Sequence, residues 1–388
     1  MTNIYKKAMK LHKKLKGKIE INNRYSLRTA KDLSLVYTPG VAEVSCEIHR
    51  NRNKVYDYTS KWNNVAIVTD GSRLLGLGNF GPEAALPVME GKSMIFKHFG
   101  KINAFPVCLA TQDKDEIIRT VKQIAPVFGA INIEDIESPK CLEVVEALQH
   151  DLDIPVFHDD QHGTATVVLA ALINALKVVD KDLKQARIVV VGAGAAGYGI
   201  VKILAHAGAR NLLAVDSDGI INKDRKENMN LYKRQIAITT NREKINGSLE
   251  DAIREAAVLV GVSGRAKLIT RKMIGTMSKD PVVFALTNPE PEIMPADAKR
   301  GGARIVATGR SDYHNQVNNA MIFPFILRAA LDARIPGIDE QMLVKVATNL
   351  SRLVGNKLSE KHILPPINDR RILPTIAKAL KFPSRRFD

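Results

Sequence analysis

Arg187-Ile-Val-Val-Val-Gly-Ala-Gly-Ala-Ala-Gly197 decides the fold. Residues 187–191 read as a buried strand. Gly192-Ala193-Gly194-Ala195-Ala196-Gly197 fits the G-x-G-x-x-G pattern. A helix runs on from it to Ala207, with Gly208 as its stop. The glycines allow a tight turn and let backbone amides meet a pyrophosphate at a helix N-terminus. Leu212-Leu-Ala-Val215 is the next strand and ends in Asp216, 24 residues after Gly192. An acid there accepts hydrogen bonds from a ribose 2′-hydroxyl and repels a 2′-phosphate, which favours NAD over NADP. Lys223 and Arg225 lie just beyond and can still hold a phosphate. Strands at 258–262, 282–286 and 304–308 continue the pattern into a doubly wound α/β sheet. Asn288, in Thr287-Asn-Pro289, sits at a strand end, and Asn318 and Asn319, in Gln316-Val-Asn-Asn-Ala320, follow a polar loop. Loop asparagines commonly form turns, and at the sheet's carboxyl edge ligand contact is the other reading.

Working upstream, the chain delivers two acid pairs to strand ends. Gly129-Ala-Ile-Asn-Ile133 reads as a strand running into Glu134-Asp135, and Ile154-Pro-Val-Phe157 as one running into His158-Asp159-Asp160. Adjacent acids on an extended segment point to opposite faces. Neighbouring parallel strands bring such ends together at the carboxyl edge, where α/β sheets bind ligands. Carboxylates converging there repel one another without a cation, and hard oxygen ligands select Mg²⁺ or Mn²⁺. Further strands are expected at 65–69 and 104–109. Between them lies the glycine-rich loop Leu75-Gly-Leu-Gly-Asn-Phe-Gly-Pro82, which resembles a phosphate cradle but lacks the GxxxxGK[ST] pattern. Close approach of its backbone to a small anion is the other reading. The helix that follows, to about Phe99, carries Lys92 among apolar residues, either snorkelling to water or partly buried with a depressed pKa. Tyr37 precedes the turn signal Pro39-Gly40. The helix from Thr164 to Val179 is apolar nearly all round and belongs between layers.

Composition narrows the function. With 388 residues, the chain can fold as two domains. No apolar run approaches the roughly 20 residues of a membrane span. The net charge of +16 suits steering of small anions, and only 5% aromatic residues argues against a single-strand nucleic-acid platform. Cys46, Cys108 and Cys141 are widely spaced and odd in number, so a disulfide framework is not expected and a reducing cytoplasm fits. Residues 1–20 hold seven lysines, and a helix over 3–17 is expected to offer a basic surface for subunit contact, most simply in a homodimer.

These motifs together resemble the malic enzymes of the small prokaryotic type. The resemblance covers nearly all of residues 25–335. It rests on Tyr37-Thr-Pro-Gly40, Val68-Thr-Asp-Gly-Ser72, Gly76-Leu-Gly, Pro87-Val-Met-Glu-Gly-Lys92, Ile133-Glu-Asp135, Phe157-His-Asp-Asp160, Gly163-Thr-Ala165, the glycine loop at 192–197, Thr287-Asn-Pro289 and Gln316-Val-Asn-Asn319. It implies oxidative decarboxylation of L-malate to pyruvate and CO₂ with reduction of NAD or NADP, dependent on Mg²⁺ or Mn²⁺. It further implies metal ligands at Glu134, Asp135 and Asp160, a general base at Lys92 with Asp159 as its partner, and a general acid at Tyr37. Asn288 and Asn318 or Asn319 match substrate and cofactor contacts. A base lysine needs a pKa near neutrality, and a nearby divalent cation lowers it. The expected architecture is an N-terminal α/β substrate and metal domain over 1–160, then a Rossmann-type NAD(P)-binding domain over 161–388 whose C-terminal helices pack back. A malolactic-type or oxaloacetate decarboxylase, working without net cofactor reduction, shares every motif. Neither nucleic acid nor membrane is an expected partner.

Overall fold

The structure, a computed structural model, describes residues 2–380. Two parallel sheets carry the chain. The first has four strands, β1 (Asn64–Thr69), β2 (Asn103–Cys108), β3 (Ala130–Ile133) and β4 (Val156–His158), in the order β2-β1-β3-β4. The second has six, β5 (Arg187–Val191), β6 (Asn211–Asp216), β7 (Gly219–Ile220), β8 (Val258–Gly261), β9 (Val282–Ala285) and β10 (Ile305–Thr308), in the order β10-β9-β8-β5-β6-β7. Every pairing is parallel except β6 with β7.

β1, β3, β8 and β9 are buried along their whole length, as strands covered on both faces must be. The Thr164–Val178 helix, apolar all round, is buried over eleven of its residues and packs on the helices Ala195–His206 and Glu340–Arg352. It is the element that ties the first sheet to the second. The C-terminal helices do pack back. Phe323 and Phe325, on or beside the helix Phe323–Ala333, stack against Phe96 and Phe99 of the helix Pro82–Gly100, with ring centroids 4.8 and 5.7 Å apart. Among the described residues no helix is long and apolar enough to cross a membrane.

Two local expectations change. The segment Asp159–Gly163 is a π-helical turn leading straight into the next helix, not an extended strand end. Its two acids therefore do not alternate in the manner of a strand, and Asp159 alone is fully buried. Tyr37 also does not float in an open loop. It closes the helix Ala30–Val36, whose start is fixed by a capping box between Thr29 and Asp32.

The N-terminal segment is built differently from the rest. The helix Thr2–Leu15 forms as expected, but from Ile4 to Trp62 no residue is buried. Met9 is 74% exposed and Ile21 91%. Lys18 ties it to the body, its backbone N–H donating to Glu90 at 3.1 Å and its Nζ to the Pro87 carbonyl at 2.5 Å, as does Lys61, whose Nζ donates to the Phe128 carbonyl at 2.7 Å.

Candidate active site

The parallel register sets the carboxyl ends of β3 and β4 side by side, so both acid pairs meet at one edge. Glu134 and Asp135 follow β3 and are 5% and 6% exposed. Glu134 N–H donates to Val68 of β1 at 2.9 Å, and Asp135 takes a left-handed conformation with φ 48°. Its carboxylate accepts from the Leu75 amide at 3.2 Å, while its carbonyl accepts from the Arg73 amide at 3.0 Å. Lys92 reaches this edge from the Pro82–Gly100 helix. Its Nζ lies 2.5 Å from Asp159 Oδ2, bridges to Glu134 Oε1, and sits 4.5 Å from the centre of the Phe323 ring. Asn132 donates to the other Glu134 oxygen at 3.0 Å.

Four acids around one ammonium are electrostatically lopsided. Burial, with Asp160 next, raises Asp135 to about 7, and burial raises Asp159 to about 6 against the opposing pull of Lys92. Glu134 rises well above its usual range, first through burial and then through Asp159, Asp160 and Asp135, although Lys92 opposes this. Burial alone would lower Lys92, but Asp159 and Glu134 outweigh it and hold the ammonium above the ordinary lysine range. Asp159 and Glu134 thus clamp the proton onto Lys92.

The donor set answers what could sit here. Asp135 Oδ2 and Asp159 Oδ1 are buried and lack any hydrogen-bond partner. Among the described residues, no three acid, histidine or cysteine side chains are placed to hold a metal ion as they stand. Lys92 occupies the space between two of the acids instead. Hard, orphaned, mutually repelling oxygens are of the kind a divalent cation takes, and Glu134, Asp135 and Asp160 are the side chains that could hold one here.

The glycine-rich loop after β1 is less a phosphate cradle than a closed turn. Leu74 N–H donates to Gly78 at 3.0 Å and Phe80 N–H to Gly71 at 3.2 Å, so these amides serve the loop itself. The loop brings forward a residue the sequence reading passed over, Arg73. Its guanidinium lies where a Cβ on Gly264 would be 2.8 Å away, so it spans from the first sheet's edge to the second's.

At the second edge, the helix Ala195–His206 starts at Gly194 with no side-chain cap, leaving its first amides for a ligand. A Cβ on Gly194 would meet nothing within 4 Å, whereas one on Gly197 would collide with the Gly192 carbonyl. Gly197 therefore serves helix–strand packing and Gly194 faces open space. Ala193, Ala195 and Ala196 complete the loop and are half-buried. Asn288 lies over Gly309, where a Cβ would be 2.7 Å from its Nδ2. Of the two later asparagines, Asn318 is occupied as a cap, accepting from the Ala320 amide at 2.9 Å. Asn319 sets its Cβ against Gly163, beside Asp159, and its side chain has no hydrogen-bond partner among the described residues.

Two expected site residues stand apart. Asp216 is already saturated. Its oxygens accept from Arg225 at 2.8 and 2.6 Å, from Lys233 at 2.8 Å and from the Asp218 amide at 3.0 Å. Burial would raise this acid, but the bonds from Arg225 and Lys233 prevail and hold it at about 2. A carboxylate has about four acceptor positions, and these four bonds occupy them. Tyr37 is 65% exposed, and its hydroxyl has no partner among the described residues. It lies on the unburied N-terminal segment, outside the Lys92 cluster.

Known proteins share this arrangement. Residues 16–149 match the family model "Malic enzyme, N-terminal domain" and residues 161–380 match "Malic enzyme, NAD binding domain". The chain is 49% identical to a bifunctional malic/malolactic enzyme of Bacillus subtilis, over 97% of this chain and 92% of that one. It is 44% identical to an NADP-dependent malic enzyme of Halomonas elongata, over 96% and 92%. It superposes on the crystal structure of an NAD-dependent malic enzyme from Thermotoga maritima with TM-score 0.93 at 45% identity, over 97% and 99%. Two sheets whose carboxyl edges face each other, one acidic around a lysine and one glycine-rich, thus come with matches along both halves: the chain belongs to the malic enzyme family.

Proposed function

We propose that this enzyme oxidatively decarboxylates L-malate to pyruvate and CO₂ with reduction of NAD(P), in the cleft between the two sheet edges. The observation that carries the reading is Lys92, held at Asp159 and Glu134 on the acidic edge. Malate is a dianion with a hydroxyl on C2. Lys92 removes that hydroxyl proton, and Asp159 holds its Nζ in place. Arg73 and Asn319 bind substrate oxygens, and Asn288 orients both substrate and nicotinamide. The open amides at Gly194 take the pyrophosphate. A divalent cation on Glu134, Asp135 and Asp160 would neutralise the acids, and with them the clamp on the lysine proton, and would polarise the substrate oxygens. A nicotinamide, when bound, accepts the hydride from C2. After CO₂ leaves, Tyr37 protonates C3.

Tyr37 needs a covered site to do this. The N-terminal segment offers Ile4, Met9, Leu11, Leu33 and Leu35 to solvent, all at least half exposed. A second copy of the chain covers this face in our reading, so the enzyme acts as a homodimer and assembly completes the site around Tyr37. Light scattering tests this, and a monomer that is fully active would remove it.

The cofactor reading widens to both dinucleotides. With Asp216 neutralised, Arg225 and Lys233 have donors to spare for a 2′-phosphate, so NADP is accepted beside NAD. The free cysteines Cys46, Cys108 and Cys141 suit a reducing cytoplasm.

The deciding assay follows nicotinamide absorbance with L-malate and Mn²⁺, in parallel with NAD and NADP, with and without a chelator. Chelator-sensitive reduction accompanied by pyruvate is expected. Lactate without net reduction would replace this reading with the malolactic one.

A further inference from the structure

We infer that Glu292 is a positioning residue that latches two loops of the second sheet's edge, Val262–Gly264 after β8 and Thr287–Pro289 after β9, and through them sets the place of Asn288 beside the dinucleotide loop. The inference rests on the functional reading above and deepens it.

Glu292 is 0% exposed. Its Oε1 accepts from the Ser263 amide at 2.9 Å, the Ser263 hydroxyl at 3.0 Å and the Thr287 hydroxyl at 2.6 Å. Its Oε2 accepts from the Thr287 amide at 3.2 Å. Thr287 Oγ1 accepts in turn from the Gly264 amide at 3.0 Å, so the two loops are cross-tied. No ion pair reaches this carboxyl among the described residues. Burying an acid without a cation is costly, and an apolar side chain would fill a core at less expense. What the acid offers is acceptors in every direction, which fix the donors of both loops at once. The backbone makes room for it: a Cβ on Gly261 would lie 2.7 Å from Glu292 Cδ.

The loops so held reach the site from both sides. A Cβ on Gly192 would lie 2.6 Å from the Val262 carbonyl, so the glycine-rich turn rests on the first loop. Asn288 directly follows Thr287 in the second. Arg73 lies against Gly264. A shift of either loop therefore moves a dinucleotide contact and a substrate contact together, and a misplacement on the order of 1 Å can cost about a hundredfold.

The test is Glu292→Gln in the full enzyme. The amide keeps the shape but turns one end into a donor, which then faces the Thr287 amide. NADH and NADPH dissociation constants are read by fluorescence, with KM for L-malate and kcat. Dinucleotide Kd and malate KM should each rise about tenfold, with kcat changing less than either. Thr287→Val added to Glu292→Gln should cost little more, because both cut the same tie. Ile253→Val, in the buried core that also holds Ile293 next to Glu292, controls for plain loss of stability and should leave Kd and KM unchanged. Should Glu292→Gln not fold, Ser263→Ala and Thr287→Val each remove one arm, and each should raise Kd or KM about threefold. Unchanged Kd and KM in Glu292→Gln, or in both single-arm variants, overturns the latch, as does an equal loss in Ile253→Val. Wild-type protein that binds no dinucleotide overturns the functional reading and the latch with it; wild type that binds while Glu292→Gln binds equally overturns the latch alone.

Discussion

The carboxyl edges of the two sheets are opposites. The edge of β1, β3 and β4 crowds four acids around Lys92, leaves two carboxylate oxygens without partners, and drives pKa values away from their usual ranges. The edge of β5, β8 and β9 is quiet. Its acids are saturated, Asp216 by Arg225 and Lys233, Glu292 by four neutral donors, and its cradle is backbone. The difference separates two tasks. In the proposed function the first edge holds a reacting dianion, and unsatisfied oxygens around a paired lysine are the groups such chemistry draws on. An edge that holds a large cofactor needs shape and fixed donors, and gains nothing from groups that titrate.

The largest effect expected from this contrast comes from Lys92→Ala. Removing the base should lower kcat by about 10³-fold, while NADPH affinity, set at the other edge, stays within twofold of wild type. Steady-state rates and a fluorescence titration check both halves, and activity within tenfold of wild type would break the assignment. Next in size is a glycine pair on the quiet edge. Gly197→Ala drives a methyl into the Gly192 carbonyl and should cost about 3 kcal/mol of stability. Gly194→Ala should fold normally yet weaken dinucleotide binding, because its methyl enters the open cradle. Equal melting temperatures for the two variants would contradict the roles given to these glycines.

A smaller effect sharpens the acidic edge. His162 sits in the π-turn, and its Nδ1 accepts from the His158 amide at 3.0 Å, which only an unprotonated nitrogen can do. Burial, with His158 next, lowers it to about 3 from an ordinary 6.5. The unfolded chain therefore takes up a proton that the folded one refuses. Stability should be intact above pH 6.5 and fall as pH drops towards 3, by about 2 kcal/mol at pH 5. Urea unfolding at pH 5 and 7, wild type against His162→Asn, measures this, and an identical pH slope in the two proteins would refute it. Smallest is Lys233→Ala, which should raise KM for NADP about tenfold and leave NAD within twofold. Parallel loss for both cofactors would return the residue to a purely structural role.

A second contrast lies within one chain length. Residues after Asn63 bury a continuous core, while Ile4 to Trp62 bury nothing. Charge and periodicity foretold the first helix, but not that the whole segment would lie unburied, since burial by distant parts of a fold is no property of a local pattern.

From residues 187–197 and the strands that follow, the dinucleotide fold was legible, because a tight turn, a strand and a helix N-terminus are local backbone demands that glycine and apolar periodicity express directly. Both acid pairs were legible as following strands for the same reason, although Asp159 and Asp160 open a π-helical turn and not an extended end. The tertiary structure alone decided what those groups face. Lys92 and Asp159 are 67 residues apart and meet only because a helix lies across the sheet edge. Asp216 is bound by Arg225 and Lys233, Asn318 is a cap, and Asn319 sets its Cβ beside Gly163. Arg73 and Glu292 carried no local signature at all. Sequence pattern specifies what each stretch of backbone does; the partner of a charged side chain is set by long-range packing, and that partner determines its proton, its charge and its use.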